Sequence, residues 1–436
     1  MTFKSNRARP SLNTRYLNRI VDAELEELLP QLPVISLEGP KGVGKTETAK
    51  RRASTIYELD EPAQRAIIEA EPSRVNSGDP PILIDEWQRV PATWDIVRRA
   101  VDKGCPPSSF LMTGSASPAD APTHSGAGRI VTVRMRPLSL AERGLTRATV
   151  SLGELLLGKR SPLNGKCEIG LQEYVNEITQ SGLPGLRHYS GRGLRAQLDG
   201  YLHRIIERDF IEQGLTVRKP EALRRWLIAY AAATATSASF EAIRDAATGG
   251  EGDKPAKTTT QPWHDALARL WILDPVPAWL PSQNELNRLT QAPKHHLADP
   301  ALATRLLGLD ADALLEGSES GPRVVRGGSL LGRLFESLVT LSLRVYAQAN
   351  EAQVRHLRMH GGQREIDLIV ERADRRVLAV EVKLSRAVDD QDVKQLLWLK
   401  DRIGNDLLDA IVIHTGPEAY RRKDGIGVIP AALLTA

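Results

Sequence analysis

The sequence predicts an α/β protein that begins with a phosphate-binding loop on a sheet of parallel strands and ends with a second α/β domain. The loop is Gly39-Pro40-Lys41-Gly42-Val43-Gly44-Lys45-Thr46, which follows the apolar run Val34–Leu37 and opens a helix-forming segment. A second apolar run, Pro81–Glu86, ends in two acids about forty residues later. A short apolar strand with acids at its carboxyl end is typical of a buried parallel sheet that faces a nucleotide.

The loop predicts that ATP and Mg²⁺ are cofactors. Its glycines let successive backbone N–H groups turn inward around phosphate oxygens. Lys45 is expected to reach the β- and γ-phosphates, and Thr46 to hold Mg²⁺. The alternative is a glycine turn with a chance lysine, which the strand, loop and helix context disfavours.

The strand ends supply the other candidate residues of this site. Asp85 is expected to bind Mg²⁺ through water, and Glu86 to orient and deprotonate the attacking water. The next strand, Phe110–Ser115, ends in polar residues, of which Thr113 or Ser115 would sense the γ-phosphate. The alternative is that these two residues only start a turn.

One further strand is expected over Arg129–Val133, after the glycine-rich stretch that precedes it. Arg129 is our candidate for a transition-state arginine that is supplied to a neighbouring subunit, and Arg136 competes for that role. Most arginines near a strand are simply solvated, which is the alternative for both.

The length of 436 residues allows two or three domains, each with its own core. We expect an ATPase domain at 1–150, a helical linker at 151–220, a winged-helix-like domain at 221–315 and an α/β domain at 316–436. The segment Glu316–Gly328 has the composition of a hinge.

The composition is 41% hydrophobic and 26% charged, as in soluble globular proteins. No apolar run approaches the roughly 20 residues that cross a bilayer, and the basic N-terminus lacks the apolar core of a secretory signal. We therefore expect a cytoplasmic protein with no membrane partner. Cys105 and Cys167 lack the spacing of a zinc site or a disulfide framework. A net charge of +4 and a pI near 9.0 are compatible with nucleic acid but do not indicate it.

Residues 221 to 300 predict a winged helix-turn-helix. Helices are expected over Leu223–Ala233 and Phe240–Ala247, with a third capped by Thr258–Thr260. Trp271–Leu273 and His296–Asp299 would pair to form the wing. Such modules often lay the third helix in the major groove of DNA. Its basic face here is modest, so DNA contact and protein docking both remain open.

The last third of the chain predicts a helix over Leu331–Ala347 and strands over Glu365–Val370 and Val377–Lys383. Successive side chains of a strand point to opposite faces. We therefore expect the apolar side chains of each strand on one face and its charged side chains on the other.

These charged side chains suit metal-assisted phosphodiester hydrolysis. Asp367 and Glu381 would hold Mg²⁺, and Lys383 would activate water or stabilise the developing negative charge. Glu336, on the preceding helix, could complete the metal site. The alternative is a surface Glu–Lys pair on a half-exposed strand.

The whole chain resembles the prokaryotic AAA-superfamily ATPases that carry a C-terminal domain of unknown function with a restriction-endonuclease-like fold. The resemblance implies that Lys45, Thr46, Asp85 and Glu86 form the nucleotide site. It aligns Glu336, Asp367, Glu381 and Lys383 with a PD-(D/E)xK nuclease core, although Ile366 replaces the proline of that motif. The segments that carry it are GPKGVGKT, ILIDE, LMTGSAS, Gly128-Arg129, PLSL, SGLPG, IERDF, PKHHLADPAL, GRLFES, EIDLIV and AVEVKLS.

Three functions follow as hypotheses, the third being a non-enzymatic regulator that binds DNA through the winged helix and uses ATP only as a conformational ligand. The first is an ATP-hydrolysing protein coupled to a nuclease-like domain that acts on DNA. The second is an ATP-dependent switch or scaffold whose C-terminal and winged-helix domains bind DNA or protein without cleavage. By analogy with AAA-type ATPases, which place their sites between subunits, we expect a homo-oligomer.

Overall fold

The structure is a computed structural model. It describes residues 16–115, 126–212, 214–215, 217, 219–248, 254–281, 291–316, 328–359 and 363–436. The hinge predicted at Glu316–Gly328 lies outside these residues apart from its two ends. None of the helices in the described part of the chain combines the length and the apolarity that crossing a bilayer requires.

The N-terminal part is a parallel sheet with helices on both sides. Its elements are α1 (Ile20–Leu28), β1 (Val34–Glu38), α2 (Lys45–Lys50), β2 (Thr55–Glu58), α3 (Pro62–Ala70), β3 (Ile82–Asp85), α4 (Ala92–Asp102), β4 (Phe110–Gly114) and β5 (Val131–Arg134). The strand order is β2-β3-β4-β1-β5, and every pairing is parallel. The predicted parallel sheet is confirmed, and β1, β3, β4 and β5 have ends within two residues of those predicted.

Both faces of this sheet are covered by apolar side chains, which explains why its strands are nearly continuous hydrophobic runs. Val34 and Ile84 pack on one face with the tryptophans that follow β3, whereas Ile35 and Leu83 pack on the other. Because β4 lies between β1 and β3, the carboxyl ends of all three strands meet at one edge of the sheet. This edge carries the phosphate loop.

The middle region is helical. Its helices are α5 (Leu140–Arg143), α6 (Leu152–Leu156), α7 (Leu171–Gln180), α8 (Gly191–Arg204), α9 (Phe210–Glu212), α10 (Pro220–Ala232), α11 (Phe240–Ala246), α12 (Lys257–Arg269), α13 (Pro300–Leu306) and α14 (Ala311–Glu316). A π-helical turn over Ile205–Asp209 joins α8 to α9. Short strands β6 (Val150–Ser151), β7 (Gly165–Lys166) and β8 (Ala278–Trp279) are also present.

The helices of the predicted winged helix are present, but one cap was wrong. Ala256 is the N-cap of α12, so Thr258–Thr260 lie inside its first turn. Leu273 and Leu297 form the antiparallel pair expected of the wing, and Val276 and Lys294 continue it. The chain then enters β8, which pairs with the C-terminal sheet rather than remaining in the wing.

The C-terminal part is an eight-stranded mixed sheet in the order β7-β13-β14-β12-β11-β10-β9-β8. Its own elements are α15 (Gly328–Gln348), β9 (Gln353–Arg358), β10 (Glu365–Glu371), β11 (Val377–Val382), α16 (Lys394–Ile403), β12 (Leu407–His414), β13 (Glu418–Arg421), β14 (Gly427–Pro430) and β15 (Leu434–Thr435). Both edge strands, β7 and β8, come from the middle region. The sequence predicted β10 and β11 but not β9, β12, β13, β14 or β15.

A β-bulge interrupts β10 beside a candidate site residue. Ile366 pairs with Leu357 and Ile369 with Arg355, so β10 has one residue more than its partner between the two pairs. The strict alternation predicted for this strand is therefore wrong. Ile366 packs in one core, and Leu368 packs in the core on the other side. Bulges commonly redirect side chains next to functional sites, and here the redirected residue is Asp367.

Candidate functional site

The phosphate loop holds its lysine against its own backbone. Lys45 is only 5% exposed, and its Nζ donates hydrogen bonds to the carbonyl oxygens of Gly39 and Pro40 at 2.8 and 3.0 Å. Gly44, the N-cap of α2, has a φ of 96°, which favours glycine. A Cβ on Gly39 would lie 2.1 Å from the carbonyl oxygen of Met135. Burial lowers the pKa of Lys45 to about 8.

Asp85 lies at the end of β3, where hydroxyl groups surround it. The Oγ1 of Thr46 donates to Asp85 Oδ1 at 2.8 Å, and Thr113 Oγ1 donates to the same oxygen. Burial raises the pKa of Asp85. Thr113 is fully buried and orients Asp85 through this hydrogen bond. Its role as a sensor of the γ-phosphate stays a prediction.

Glu86 follows in a left-handed conformation, with a φ of 54°, which is uncommon for a residue that is not glycine. Its N–H donates to Thr113 Oγ1 at 3.1 Å. Its Oε2 accepts hydrogen bonds from Ser115 Oγ, at 2.9 Å, and from the Gln88 amide. Strained backbone of this kind persists where the surrounding contacts determine it, and it clusters at functional sites.

Lys45, Thr46, Asp85 and Glu86 line one cavity of about 900 Å³. It is wide enough for a nucleotide, since ligand pockets span roughly 300–1,000 Å³. Arginines and a histidine that the sequence analysis did not assign also line it, namely Arg19, Arg89, Arg187 and His188. Arg187 and His188 lie two and three residues after the SGLPG segment, whose Pro184 and Gly185 reach the same cavity.

The middle region contacts the loop through Lys41. Its Nζ lies 2.6 Å from Asp209 Oδ1, on the π-helical turn, and 3.4 Å from Glu212 Oε2. The Tyr201 hydroxyl donates to the Lys41 carbonyl at 3.1 Å. Glu212 also pairs with Arg89 at 3.1 Å. The loop and the cavity wall are thus tied to one turn of the middle region.

The four candidate residues of the C-terminal part also come together. Glu381 and Lys383, which were predicted to project together, are joined by a 3.0 Å ion pair. Asp367 Oδ2 accepts a hydrogen bond from the Val382 N–H at 2.9 Å. Burial, followed by the charge of Asp367, raises the pKa of Glu381 well above its usual range.

A lysine that the sequence analysis did not predict lies inside this cluster. Lys294 Nζ is 2.8 Å from Glu336 Oε1 and 3.5 Å from Asp367 Oδ1, and its side chain is 1% exposed. Burial lowers the pKa of Lys294, but the charges of Glu336 and Asp367 outweigh this effect and leave it above its usual range. These neighbouring acids favour the charged form of the ammonium group. Among the residues that the structure describes, no group of three or more His, Cys, Asp or Glu side chains is spaced to hold a metal ion.

Comparison with known families now bears on the first site. Residues 31–143 match the family described as AAA domain. This segment is a P-loop AAA-type domain. Residues 171–313 and 331–434 match two families described as domains of unknown function, DUF8612 and DUF4143. The AAA domain thus carries Lys45, Asp85 and Glu86, whereas DUF4143 carries the acidic cluster and DUF8612 carries Lys294.

Similar proteins add little about activity. Two uncharacterized proteins, one from Mycobacterium bovis and one from Mycobacterium tuberculosis, are each 27% identical over 328 residues. The match covers 73% of this chain but only 65% of theirs. A Walker-type ATPase of Pyrococcus abyssi aligns with 65% of this chain and 94% of its own, at 15% identity and a TM-score of 0.34.

The two candidate arginines of the AAA domain lie in different environments. Arg129 is 41% exposed on its side chain and pairs with Asp102, so its role in a neighbouring subunit stays a prediction. Arg136 is buried against Asp274, with 3.0 Å between Nε and Oδ2. This ion pair would have to break before Arg136 could reach a neighbour's nucleotide, so its role as the competing arginine also stays a prediction.

Proposed function

We propose that this chain binds ATP with Mg²⁺ and hydrolyses it. The observation that carries the proposal is the cavity at the edge of the parallel sheet, where Lys45, Thr46, Asp85 and Glu86 all reach one space. Lysine, hydroxyl, metal-binding acid and water-orienting acid are the parts that phosphoryl transfer requires in P-loop enzymes.

The residues present fit Mg²⁺. The hydroxyl of Thr46 and the carboxylate of Asp85 are hard oxygen ligands, 2.8 Å apart, and both line the cavity. They would hold the ion, which neutralises charge on the β- and γ-phosphates when bound. Lys45 leaves its two carbonyl partners to bind the phosphates. Glu86, which Ser115 and Gln88 hold in place, orients the water and accepts its proton.

We further propose that the state of the nucleotide reaches the C-terminal part through the middle region. Asp299 Oδ2 accepts hydrogen bonds from Ser181 Oγ at 2.6 Å and from Gly182 N at 2.8 Å. Ser181 and Gly182 precede Pro184 in the cavity wall, and Asp299 lies five residues after Lys294 in the acidic cluster. This buried contact links the two sites over a short stretch of chain.

For the C-terminal cluster we propose a nuclease-like domain that acts on DNA with Mg²⁺, and we retain binding to DNA or protein without cleavage as the second candidate. The ion pairs of Lys294 and Lys383 favour the second candidate in the conformation described, because they occupy the carboxylates that a metal ion would need. A homo-oligomer with Arg129 acting between subunits also belongs to the proposal.

Glu86→Gln tests the ATPase part. Turnover should fall about 10²- to 10⁴-fold, because the general base is lost, while calorimetry should still detect ATP binding. Glu61→Gln is the matched control, since Glu61 is an exposed acid at the start of α3 and should leave turnover unchanged. Wild-type protein that shows neither turnover nor heat on ATP addition would refute the proposal.

A nicking assay separates the two C-terminal candidates. Cleavage of plasmid DNA with Mg²⁺ or Mn²⁺ that disappears in Lys383→Ala, with ATP turnover intact, would support a nuclease. DNA retention without nicking in either metal would support the binding candidate.

A further inference from the structure

Lys294 is fixed in an unusual place for a lysine. Its backbone N–H and carbonyl both pair with Val276 at 2.9 Å, in the continuation of the wing. Two residues on, the His296 ring lies 3.1 Å from Ser337 Oγ, next to Glu336 on α15. The segment is therefore anchored on both sides, and its lysine side chain points into the C-terminal part with 1% of its surface exposed.

Two of the three acidic partners of Lys294, Glu336 and Asp367, were expected at a metal site, and the third is Glu365. Nζ lies 2.8 Å from Glu336, 3.4 Å from Glu365 and 3.5 Å from Asp367, and 3.4 Å from the carbonyl oxygen of Asp367. These distances suit an ammonium group with its three N–H donors. Mg²⁺ would need an octahedron of oxygens at about 2.0–2.1 Å. The carboxylates do not fit a metal ion while Lys294 stays between them.

Lysine is rarely buried without a reason, since burying a charge costs free energy unless partners compensate. Here the partners come from a different region of the chain: Lys294 belongs to the middle region, whereas the three acids belong to α15 and β10. The charge inside the cluster is thus supplied by a separate segment of the chain.

We propose that Lys294 is the resident cation of this acidic cluster and competes with divalent metal ions for its carboxylates. The proposal deepens the one made for the C-terminal cluster, because it states what regulates metal entry there. A divalent ion binds Glu336 and Asp367 only after the middle region has withdrawn Lys294. The cluster is thus closed to metal in the conformation described.

Mn²⁺ binding to the full-length chain, followed by the EPR signal of free Mn²⁺ without nucleotide or DNA, tests this competition. Lys294→Met should bind Mn²⁺ at least about tenfold tighter than wild type, because a buried positive charge is removed from the site. The gain should vanish in Lys294→Met combined with Asp367→Asn. Lys383→Met is the matched control, since it removes the other ammonium of the cluster, and its gain should be smaller.

A second measurement compares wild type with Asp367→Asn, so it holds even if Lys294→Met fails to fold. Asp367→Asn should leave Mn²⁺ binding to the wild-type background unchanged, because the cluster takes no metal while Lys294 is present. Loss of a Mn²⁺ site in that single variant would overturn the proposal, as would equal affinities in wild type and Lys294→Met. An equal gain in Lys383→Met would also overturn it, by showing a general charge effect. None of these measurements depends on ATP hydrolysis or DNA cleavage.

Discussion

The phosphate loop and the C-terminal cluster are built from the same types of residue, yet they hold their charges differently. At the phosphate loop, Lys45 donates to backbone carbonyls, and Asp85 accepts from the hydroxyls of Thr46 and Thr113. In the C-terminal cluster, Lys294 and Lys383 donate directly to Glu336 and Glu381. The first site pairs its charged groups with neutral ones, whereas the second pairs them with each other.

The phosphate loop is therefore ready to bind a charged ligand, whereas the charged groups of the C-terminal cluster already neutralise one another. Hydrogen bonds from neutral groups orient a charged side chain but leave its charge for a phosphate or a metal ion. In a buried ion pair the two charges already neutralise each other, and removing one partner lowers the stability of the fold. Substitutions of the two buried lysines should therefore have opposite consequences.

Lys45→Met is expected to have the largest effect, and it acts on function. ATP turnover should fall by about 10³-fold or more, comparable to the loss of other cations that stabilise phosphoryl transfer. Thermal unfolding should show little loss of stability, because Lys45 has only carbonyl partners to lose. A large fall in the unfolding temperature would contradict the comparison.

Lys294→Met is expected to lower stability and to leave ATP turnover largely unchanged. Removing the cation leaves Glu336 and Asp367 without it, so the free energy of unfolding should drop by about 3–5 kcal/mol, as for other broken buried pairs. ATP turnover at a temperature where the variant is folded should stay near the wild-type rate. Denaturant unfolding with and without Mn²⁺ measures the effect, and Mn²⁺ should restore stability to this variant alone. Lys257→Met, an exposed lysine at the start of α12, is the control.

The sequence predicted the first site better than the second for a physical reason. A phosphate loop is local: its glycines, Lys45 and Thr46 are contiguous, and the carboxyl ends of parallel strands bring Asp85 to them. Glu336, Asp367, Glu381 and Lys383 lie on or directly after the helix and the two strands that were predicted to carry them, while their role in a nuclease-like site stays a prediction. Their actual state was not predictable, because it depends on Lys294, which lies 42 residues from Glu336 in sequence and in no charged pattern.

Other features were hidden for similar reasons. The bulge beside Asp367 cannot be recognised in the sequence pattern, because both faces of β10 are buried and apolar residues follow one another on either side of it. The strands β7 and β8 contain two residues each, too few to show a period. Arg136 resembles Arg129 in sequence, and only the three-dimensional structure shows that Asp274 pairs with the former. The predicted winged helix gave the correct helices, but not the strand that leaves it for the C-terminal sheet.

Asp274 forms a third charged site, whose ion pairs serve only to stabilise the fold. Its carboxylate lies 3.0 Å from Arg134, 3.0 Å from Arg136 and 2.8 Å from Arg344, so it joins the AAA domain to α15. Asp274→Asn should cost about 3 kcal/mol, near the low end for buried pairs, since the arginines still have other contacts. Denaturant unfolding measures the loss, with Asp265→Asn as control, since the Asp265 side chain on α12 is 47% exposed.

The same carboxylate predicts a pH dependence. Burial alone would raise the pKa of Asp274, but Arg134, Arg344 and Arg136 hold it far below its usual range. A folded-state pKa that is depressed stabilises the protein above the unfolded-state value, which is about 3.9. Its contribution is therefore complete at neutral pH and is lost as the pH falls below about 4. The difference in stability between wild type and Asp274→Asn should shrink over that range, and a constant difference would contradict the assignment.

The smallest expected effect concerns Lys41, the lysine of the phosphate loop whose ammonium group is already paired with acidic side chains. Asp209 and Glu212 hold its ammonium 2.6 and 3.4 Å away, on the side of the cavity that the middle region forms. Asp209→Asn should free Lys41 for the γ-phosphate and tighten binding of a non-hydrolysable ATP analogue by about three- to tenfold, roughly the 1 kcal/mol expected of one partly exposed pair. ADP lacks that phosphate, so its affinity should stay the same. Calorimetry with both nucleotides tests this, with Glu207→Gln on the same turn as control. Weaker binding of the analogue would instead show that Asp209 positions Lys41 for the nucleotide. The Lys41–Asp209 pair would then be part of a site prepared for its ligand, unlike the ion pairs of the C-terminal cluster.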